Sequence, residues 1–193
     1  FEALTRWSVD GRLVQAQEIV EIAGDAGMLV ELDAFMLDEA VRIMADWNRR
    51  RKTAFTLSVN LFDVHFLTPT GTAFIAEALQ AHRFPADLLT IEVAETSVFT
   101  QDGKLAPALV ALRETGCRLS VDDFGAGHAP LSDLRTLSAD EIKIDGRLLT
   151  DLEDSRESQA ILAALLQMTN CLKIETIAEG VERVEQADTL LKL

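Results

Sequence analysis

Six short β-rich runs, each followed by a helix-length segment, constrain this chain more than any other feature. The runs are Glu2–Arg6, Phe55–Asn60, Leu88–Val93, Arg118–Asp122, Glu141–Asp145 and Ile174–Glu179. Between and beyond them the apolar spacing predicts helices over Gln15–Ala26, Glu31–Arg50, Thr72–His82, Lys104–Thr115, Ser155–Thr169 and Arg183–Leu191. Several of these end at Gly27, Pro85 or Gly116. In Glu31–Arg50 the residues Leu32, Phe35, Met36, Ala40, Ile43 and Trp47 recur mostly every three to four positions, which predicts an apolar stripe facing a core. Alternating strand and helix, with no low-complexity linker, predicts one α/β domain over residues 1–193 with a parallel sheet covered by helices.

A parallel strand buried on both faces reads as nearly all apolar. These runs do not. Alternate positions carry Glu2 and Arg6; Thr56, Ser58 and Asn60; Thr90 and Glu92; Ser120 and Asp122; Glu141, Lys143 and Asp145; Glu175 and Glu179. Strand side chains have period two, so each set shares one face of its strand. Under the helices of an open sheet such groups would be buried without partners, at several kcal/mol each. A TIM-like α/β barrel resolves the conflict, because its polar strand ends converge at the C-terminal mouth where such barrels keep their chemistry. Six strands against the usual eight imply a core segment lacking about two strands and truncated at both ends.

Composition narrows the ligands. Lys+Arg 18 against Asp+Glu 32 gives a formal net charge of −14, which argues against a basic surface for polymeric nucleic acid. A small anionic ligand stays compatible if cations mediate its binding. The only cysteines, Cys117 and Cys171, lie far apart in apolar contexts and read as reduced core residues. No run approaches the roughly 18 apolar residues of a membrane span, and the first residues show no signal-peptide pattern. The segment therefore reads as cytoplasmic, within a parent protein that could itself be membrane-anchored.

Glu2, Asn60, Glu92, Asp122, Asp123 and Glu179 would all sit around the barrel mouth. That density of negative charge is self-repelling unless cations fill it, and hard oxygen ligands select Mg²⁺, Mn²⁺ or Ca²⁺. Adjacent Asp122 and Asp123 at a strand end could serve two ions, and a metal pair about 3.5–4 Å apart is the usual device for in-line phosphoryl displacement. Any single strand-end acid is more often a helix cap or a surface charge; five carboxylates and an amide together argue for a site. Lys143 reads as a cation near a phosphate or attacking water, against the alternative of a snorkelling surface lysine. Arg6 reads equally as a salt-bridge partner or an anion clamp. His65 and His82 have no partner motif, and His128 reads as a loop residue ahead of a metal ligand.

These residues fall in ordered motifs. Glu2-Ala3-Leu4 lies inside FEALTRW; SVN ends at Asn60; IEVAET spans Ile91–Thr96, VDDFGAG Val121–Gly127, EIKIDG Glu141–Gly146 and AEGVE Ala178–Glu182. The set resembles the EAL domain family of bacterial cyclic di-GMP phosphodiesterases and covers nearly the whole chain in that family's order. The tripeptide alone would carry little weight; DDFGxG, then KID, then AEGVE at these spacings carries much more. The resemblance implies a barrel with one antiparallel strand, two divalent cations (Mg or Mn, with Ca inhibitory) and hydrolysis of cyclic di-GMP to linear pGpG. It implies Glu2, Asn60, Glu92 and Asp122 as ligands of one metal, with Asp122 bridging to a second near Asp123. Glu179 and Lys143 would order and activate the attacking water. Arg6 and Asp145 would contact the substrate, with Leu4 as an apolar neighbour, and Glu95 would anchor the loop after DDFG. As partners it implies a homodimer and room for an attached sensory or GGDEF domain, with no direct membrane insertion by this segment.

The chain departs from the family after Gly127, where His128-Ala129-Pro130 replaces an aromatic and two serines in a loop that couples metal site to dimerisation. The family's Gln-Pro and Gln-Gly motifs, in its first and last strands, are absent from this chain. The alternative function is therefore a catalytically silent EAL-type receptor that binds cyclic di-GMP and acts through protein partners. A third reading, an unrelated metal-dependent barrel enzyme, conflicts with the motif order and lacks a second lysine base at a strand end.

Overall fold

An Asp-Gly pair sets the first local structure. Asp10 and Gly11 both take positive φ (49° and 80°), the conformation a two-residue hairpin turn requires. They join β2 (Trp7–Val9) to β3 (Arg12–Val14) in antiparallel register, Trp7 opposite Val14 and Val9 opposite Arg12. Before the hairpin, β1 is only Glu2–Ala3, shorter than the predicted Glu2–Arg6. The computed structural model describes residues 1–98, 105–125 and 139–193. The His128-Ala129-Pro130 segment lies outside them. By internal packing the chain divides into two compact units, Phe1–Val93 with Pro107–Leu119, and Ala94–Ala106 with Ser120–Leu193.

In the first unit, α1 (Ala16–Asp25) and α2 (Leu29–Arg51) precede β4 (Leu57–Asn60), α3 (Pro69–His82) and β5 (Leu89–Ala94). β1 pairs with β4 and β4 with β5, all parallel, with Glu2 opposite Ser58 and Asn60 opposite Glu92. α2 packs on β4 and α3. Its buried line is Asp33, Leu37, Val41, Met44 and Ala45, not the predicted stripe. Phe35 is 64% exposed and Trp47 46%, and both border apolar clefts. The apolar arc of this helix is wide, and the line that meets the sheet includes an aspartate, which a hydrophobicity pattern excludes. α5 (Leu105–Glu114) leads to Cys117, which is buried.

In the second unit, β5 runs into the short α4 (Glu95–Val98), and β6 (Arg118–Phe124), β7 (Glu141–Ile144) and β8 (Glu175–Ala178) pair in parallel. α6 (Arg156–Leu172) packs on β8 and opens on a Ser155 cap that accepts the Ser158 N–H. α7 (Val184–Leu190) follows β8. Cys171 is exposed, correcting the expectation of a core position. The buried face of α6 runs through Leu162, Leu165 and Thr169, and Cys171 lies off that line. Among the described residues the antiparallel pairing is the β2–β3 hairpin. No helix among them is long and apolar enough to cross a membrane.

Candidate functional site

The site residues of the first unit sit at the C-terminal ends of neighbouring parallel strands. Paired residues of adjacent strands point to the same face, so Asn60 and Glu92, in register, project side by side. Glu2 lies opposite Ser58, in the same phase as Asn60, and the Asn60 amide donates to Glu2 Oε1 at 2.9 Å. Glu92 is 1% exposed. Leu4 and Arg6, implied as substrate contacts, lie beyond the end of β1, so strand phase does not align Arg6 with Glu2. The Arg6 guanidinium donates to the Thr5 carbonyl at 2.7 Å, and Leu4 is exposed at the edge of an apolar cleft with Phe1, Met36 and Trp47.

In the second unit a β-bulge does what regular alternation forbids. Val121 pairs with Ile142 and Phe124 with Ile144, so two residues of β6, Asp122 and Asp123, stand opposite the single residue Lys143. In a regular strand adjacent side chains would point to opposite faces. Asp123 takes the left-handed conformation, φ 56°, which Asp tolerates better than most residues. Its N–H donates to Asp122 Oδ1 at 2.9 Å. Burial pushes the Asp122 carboxyl above the usual carboxylate range, Lys143 and the Asp123 N–H pull it down, and the charges of Glu179 and Asp123 push it up.

Lys143 is buried and its Nζ lies 2.9 Å from Glu179 Oε1. The two residues come from the ends of β7 and β8, whose exits touch backbone to backbone. A Cβ on Gly180, at φ +65°, would lie 3.2 Å from the Gly146 Cα. The glycines of EIKIDG and AEGVE thus let two strand ends meet beneath the ion pair.

Glu95, 3% exposed, accepts the Gly125 N–H on Oε2 at 2.8 Å. Gly125 sits at φ +93°, and a side chain there would run into Leu148. Asp145 accepts the Arg147 N–H on Oδ1 (2.7 Å) and the Arg147 guanidinium on Oδ2 (2.6 and 3.0 Å). The guanidinium bond is the main cause that holds this carboxyl below its ordinary range. Two residues with a bearing on the site carried no sequence signal of that kind: Arg147, which engages Asp145, and Asp33, which holds the segment leaving Asn60. An aspartate four residues before Leu37 on a helix was the only trace of the latter.

Among the described residues no three His, Cys, Asp or Glu side chains stand close enough together to hold a metal ion. The candidate ligands are grouped instead as Glu2 with Asn60, Asn60 beside Glu92, and Asp122 next to Asp123. Their donors are carboxylate and amide oxygens, the set that suits Mg²⁺ or Mn²⁺ in preference to softer metals.

Comparison with known proteins places this arrangement. The EAL domain family model matches residues 1–193. The bifunctional diguanylate cyclase/cyclic di-GMP phosphodiesterase MucR of Pseudomonas aeruginosa is 30% identical over 193 residues, all of this chain and 28% of that protein. The chain spans about a quarter of the length of the curated relatives it matches. Among solved structures, the MucR phosphodiesterase in complex with c-di-GMP superposes with a TM-score of 0.89 at 29% identity, covering 99% of this chain and 78% of that one. A calcium and cyclic di-GMP complex of Klebsiella pneumoniae BlrP1 gives a TM-score of 0.81 at 28% identity, covering 98% of this chain and 47% of that one. The shared fold is the TIM-like barrel of EAL domains. With the family model matching residues 1–193 of the chain and the same fold in solved relatives, the chain belongs to the EAL domain family.

Proposed function

We propose that this chain hydrolyses cyclic di-GMP to linear pGpG with two divalent cations, Mg²⁺ or Mn²⁺. The observation that carries the reading is the bulge in β6, which sets Asp122 and Asp123 together opposite Lys143, itself paired with Glu179. A domain kept only for its packing has no use for two adjacent acids beside a buried lysine. In this reading Glu2, Asn60, Glu92 and Asp122 hold one cation, and Asp122 and Asp123 the second. When bound, such cations stabilise charge on the attacking and leaving oxygens of an in-line displacement.

The chain's own residues supply the rest. Lys143 and Glu179 hold the attacking water, and the Glu179 carboxylate takes its proton as its oxygen bonds to phosphorus. The bond from phosphorus to the ribose oxygen breaks, and that oxygen leaves with a proton as the free hydroxyl of pGpG. Glu95 fixes Gly125 and with it the exit of the Asp122-Asp123 strand. Arg6 and Asp145 contact the substrate, Asp145 after exchanging its Arg147 partner for a guanine edge. The formal charge of −14 poses no obstacle, because the cations and Arg6 meet the two phosphates. The segment works as the hydrolytic module of a longer protein, as a homodimer and beside a sensory or GGDEF domain, in the cytoplasm.

The test is to incubate the protein with cyclic di-GMP and Mg²⁺ or Mn²⁺ and resolve products by chromatography. Formation of pGpG, abolished in Glu2→Ala while nucleotide binding persists, supports the proposal. Tight binding with no product would establish the silent receptor in its place.

A further inference from the structure

Asp33 is 0% exposed in a helix face otherwise made of Leu37, Val41, Met44 and Ala45. Burying a carboxyl among aliphatic side chains costs several kcal/mol unless its oxygens are engaged. One oxygen is. Oδ2 accepts the N–H of Phe62 at 2.9 Å and of Asp63 at 2.7 Å, while Oδ1 has no hydrogen-bond partner among the described residues.

Those two N–H groups belong to the segment that leaves β4 immediately after Asn60. Leu61 makes the last ladder bond, donating to the Glu92 carbonyl at 2.9 Å. From there the backbone pairs with no strand among the described residues, and an N–H withdrawn from water must find another acceptor. Asp33 takes the next two. The Asp63 carboxylate then accepts the His65 N–H at 2.7 Å and opens the short 3₁₀ turn Val64–Leu67. The exit from β4 is thus pinned on both sides, by Glu92 from the neighbouring strand and by Asp33 from the helix behind it.

We infer that Asp33 is a positioning residue for Asn60: its carboxyl fixes the backbone beyond the strand end and so the direction in which the Asn60 amide is presented beside Glu2 and Glu92. The inference rests on the reading of Asn60 as a metal ligand. Partners one step removed from metal ligands typically change metal affinity 10–100-fold when removed. Packing alone does not account for the residue, since leucine would cover the same core without accepting either N–H.

Mn²⁺ affinity, measured by calorimetry on the whole protein, tests it in Asp33→Leu, which removes the acceptor, in Asn60→Ala and in the double variant, with thermal unfolding recorded alongside. Asp33→Leu is expected to weaken Mn²⁺ binding about 10–100-fold, and to weaken it no further in the Asn60→Ala background. A folded Asp33→Leu protein with unchanged affinity, or with a full additional loss on top of Asn60→Ala, overturns the inference. If Asn60→Ala alone leaves Mn²⁺ binding intact, the ligand reading fails and this inference falls with it; a loss in Asn60→Ala without one in Asp33→Leu sinks the positioning role only. Amide hydrogen exchange in the unsubstituted protein covers the case in which Asp33→Leu does not fold. The Phe62 and Asp63 amides are expected to exchange as slowly as those of Leu57–Asn60, and exchange at the rate of exposed amides overturns the inference.

Discussion

Lys143 Nζ stands 2.9 Å from Oε1 of Glu179, a buried ammonium held against a carboxylate that keeps 38% of its side-chain surface in solvent. The asymmetry gives the pair a direction. The lysine is fixed from within by β7, and the glutamate presents its outer face from the end of β8. If the two act as one device on the attacking water, Lys143→Met and Glu179→Gln should each lower kcat about 10²–10⁴-fold, and the double variant should be no worse than the poorer single. Losses that multiply in pGpG formation would show two independent roles.

The bulge makes a second prediction about the neighbouring acids. Asp122 and Asp123 share one opposite residue, and Asp122 accepts a backbone bond inside the bulge, from the N–H of Asp123. Asp123 carries the left-handed φ that Asn also tolerates. Asp123→Asn should therefore keep the bulge and lower kcat moderately, whereas Asp122→Asn, which on the proposed reading removes a ligand of both ions, should cost at least about tenfold more. Equal losses in steady-state turnover would contradict the bridging role of Asp122.

Much of this was legible in the sequence, and the exceptions have physical causes. Short β-rich runs located the six parallel strands, and the phase of their polar residues put Glu92, Asp122 and Glu179 toward one end. The bulge was not legible, because a register shift depends on the pairing of β6 with β7 and leaves β6 looking like an ordinary strand. The β2–β3 hairpin was not read either, although Asp10-Gly11 is a strong turn signal, because its three-residue strands are too short for alternation to register. Arg6 was given a strand phase it does not have, as β1 ends at Ala3. Asp33 was missed because a polar residue on a buried helix line subtracts from the hydrophobic pattern that would otherwise have revealed the line.

Asp33 also sets a pH dependence of stability. Burial pushes its carboxyl from 3.8 to about 7, against the pull of the Phe62 and Asp63 N–H groups. Between those values the unfolded chain has lost the proton and the folded one keeps it, so this residue's contribution falls as pH rises, by up to about 1.4 kcal/mol per unit, and levels off above about pH 7. Asp33→Asn removes the term. Its stability relative to the unsubstituted protein should therefore improve by a few kcal/mol between about pH 5 and pH 8, other acids cancelling in the difference. Urea unfolding at both pH values measures this, and a pH-independent difference would refute it.

Three helices close on a cation where glycine is usual. Lys52, Arg83 and Lys173 take φ of 54°, 54° and 59° at the ends of α2, α3 and α6. Each is followed by a residue whose N–H reaches back five positions, Thr53 to Asn48, Phe84 to Leu79 and Ile174 to Thr169, the bond of a Schellman cap. The positive charges favour the negative helix ends, by about 0.3–1 kcal/mol, but a side chain with a Cβ in the left-handed region costs roughly 1–2 kcal/mol. At Lys173 the strain wins, since the apolar contact of the cap comes from buried Ile174 and not from the lysine. Lys173→Gly should stabilise the protein by about 0.5–1 kcal/mol, and Lys173→Ala, which loses the charge and keeps the strain, should not. Denaturant midpoints distinguish them, and a destabilised glycine variant would mean that the charge at the helix end outweighs the backbone.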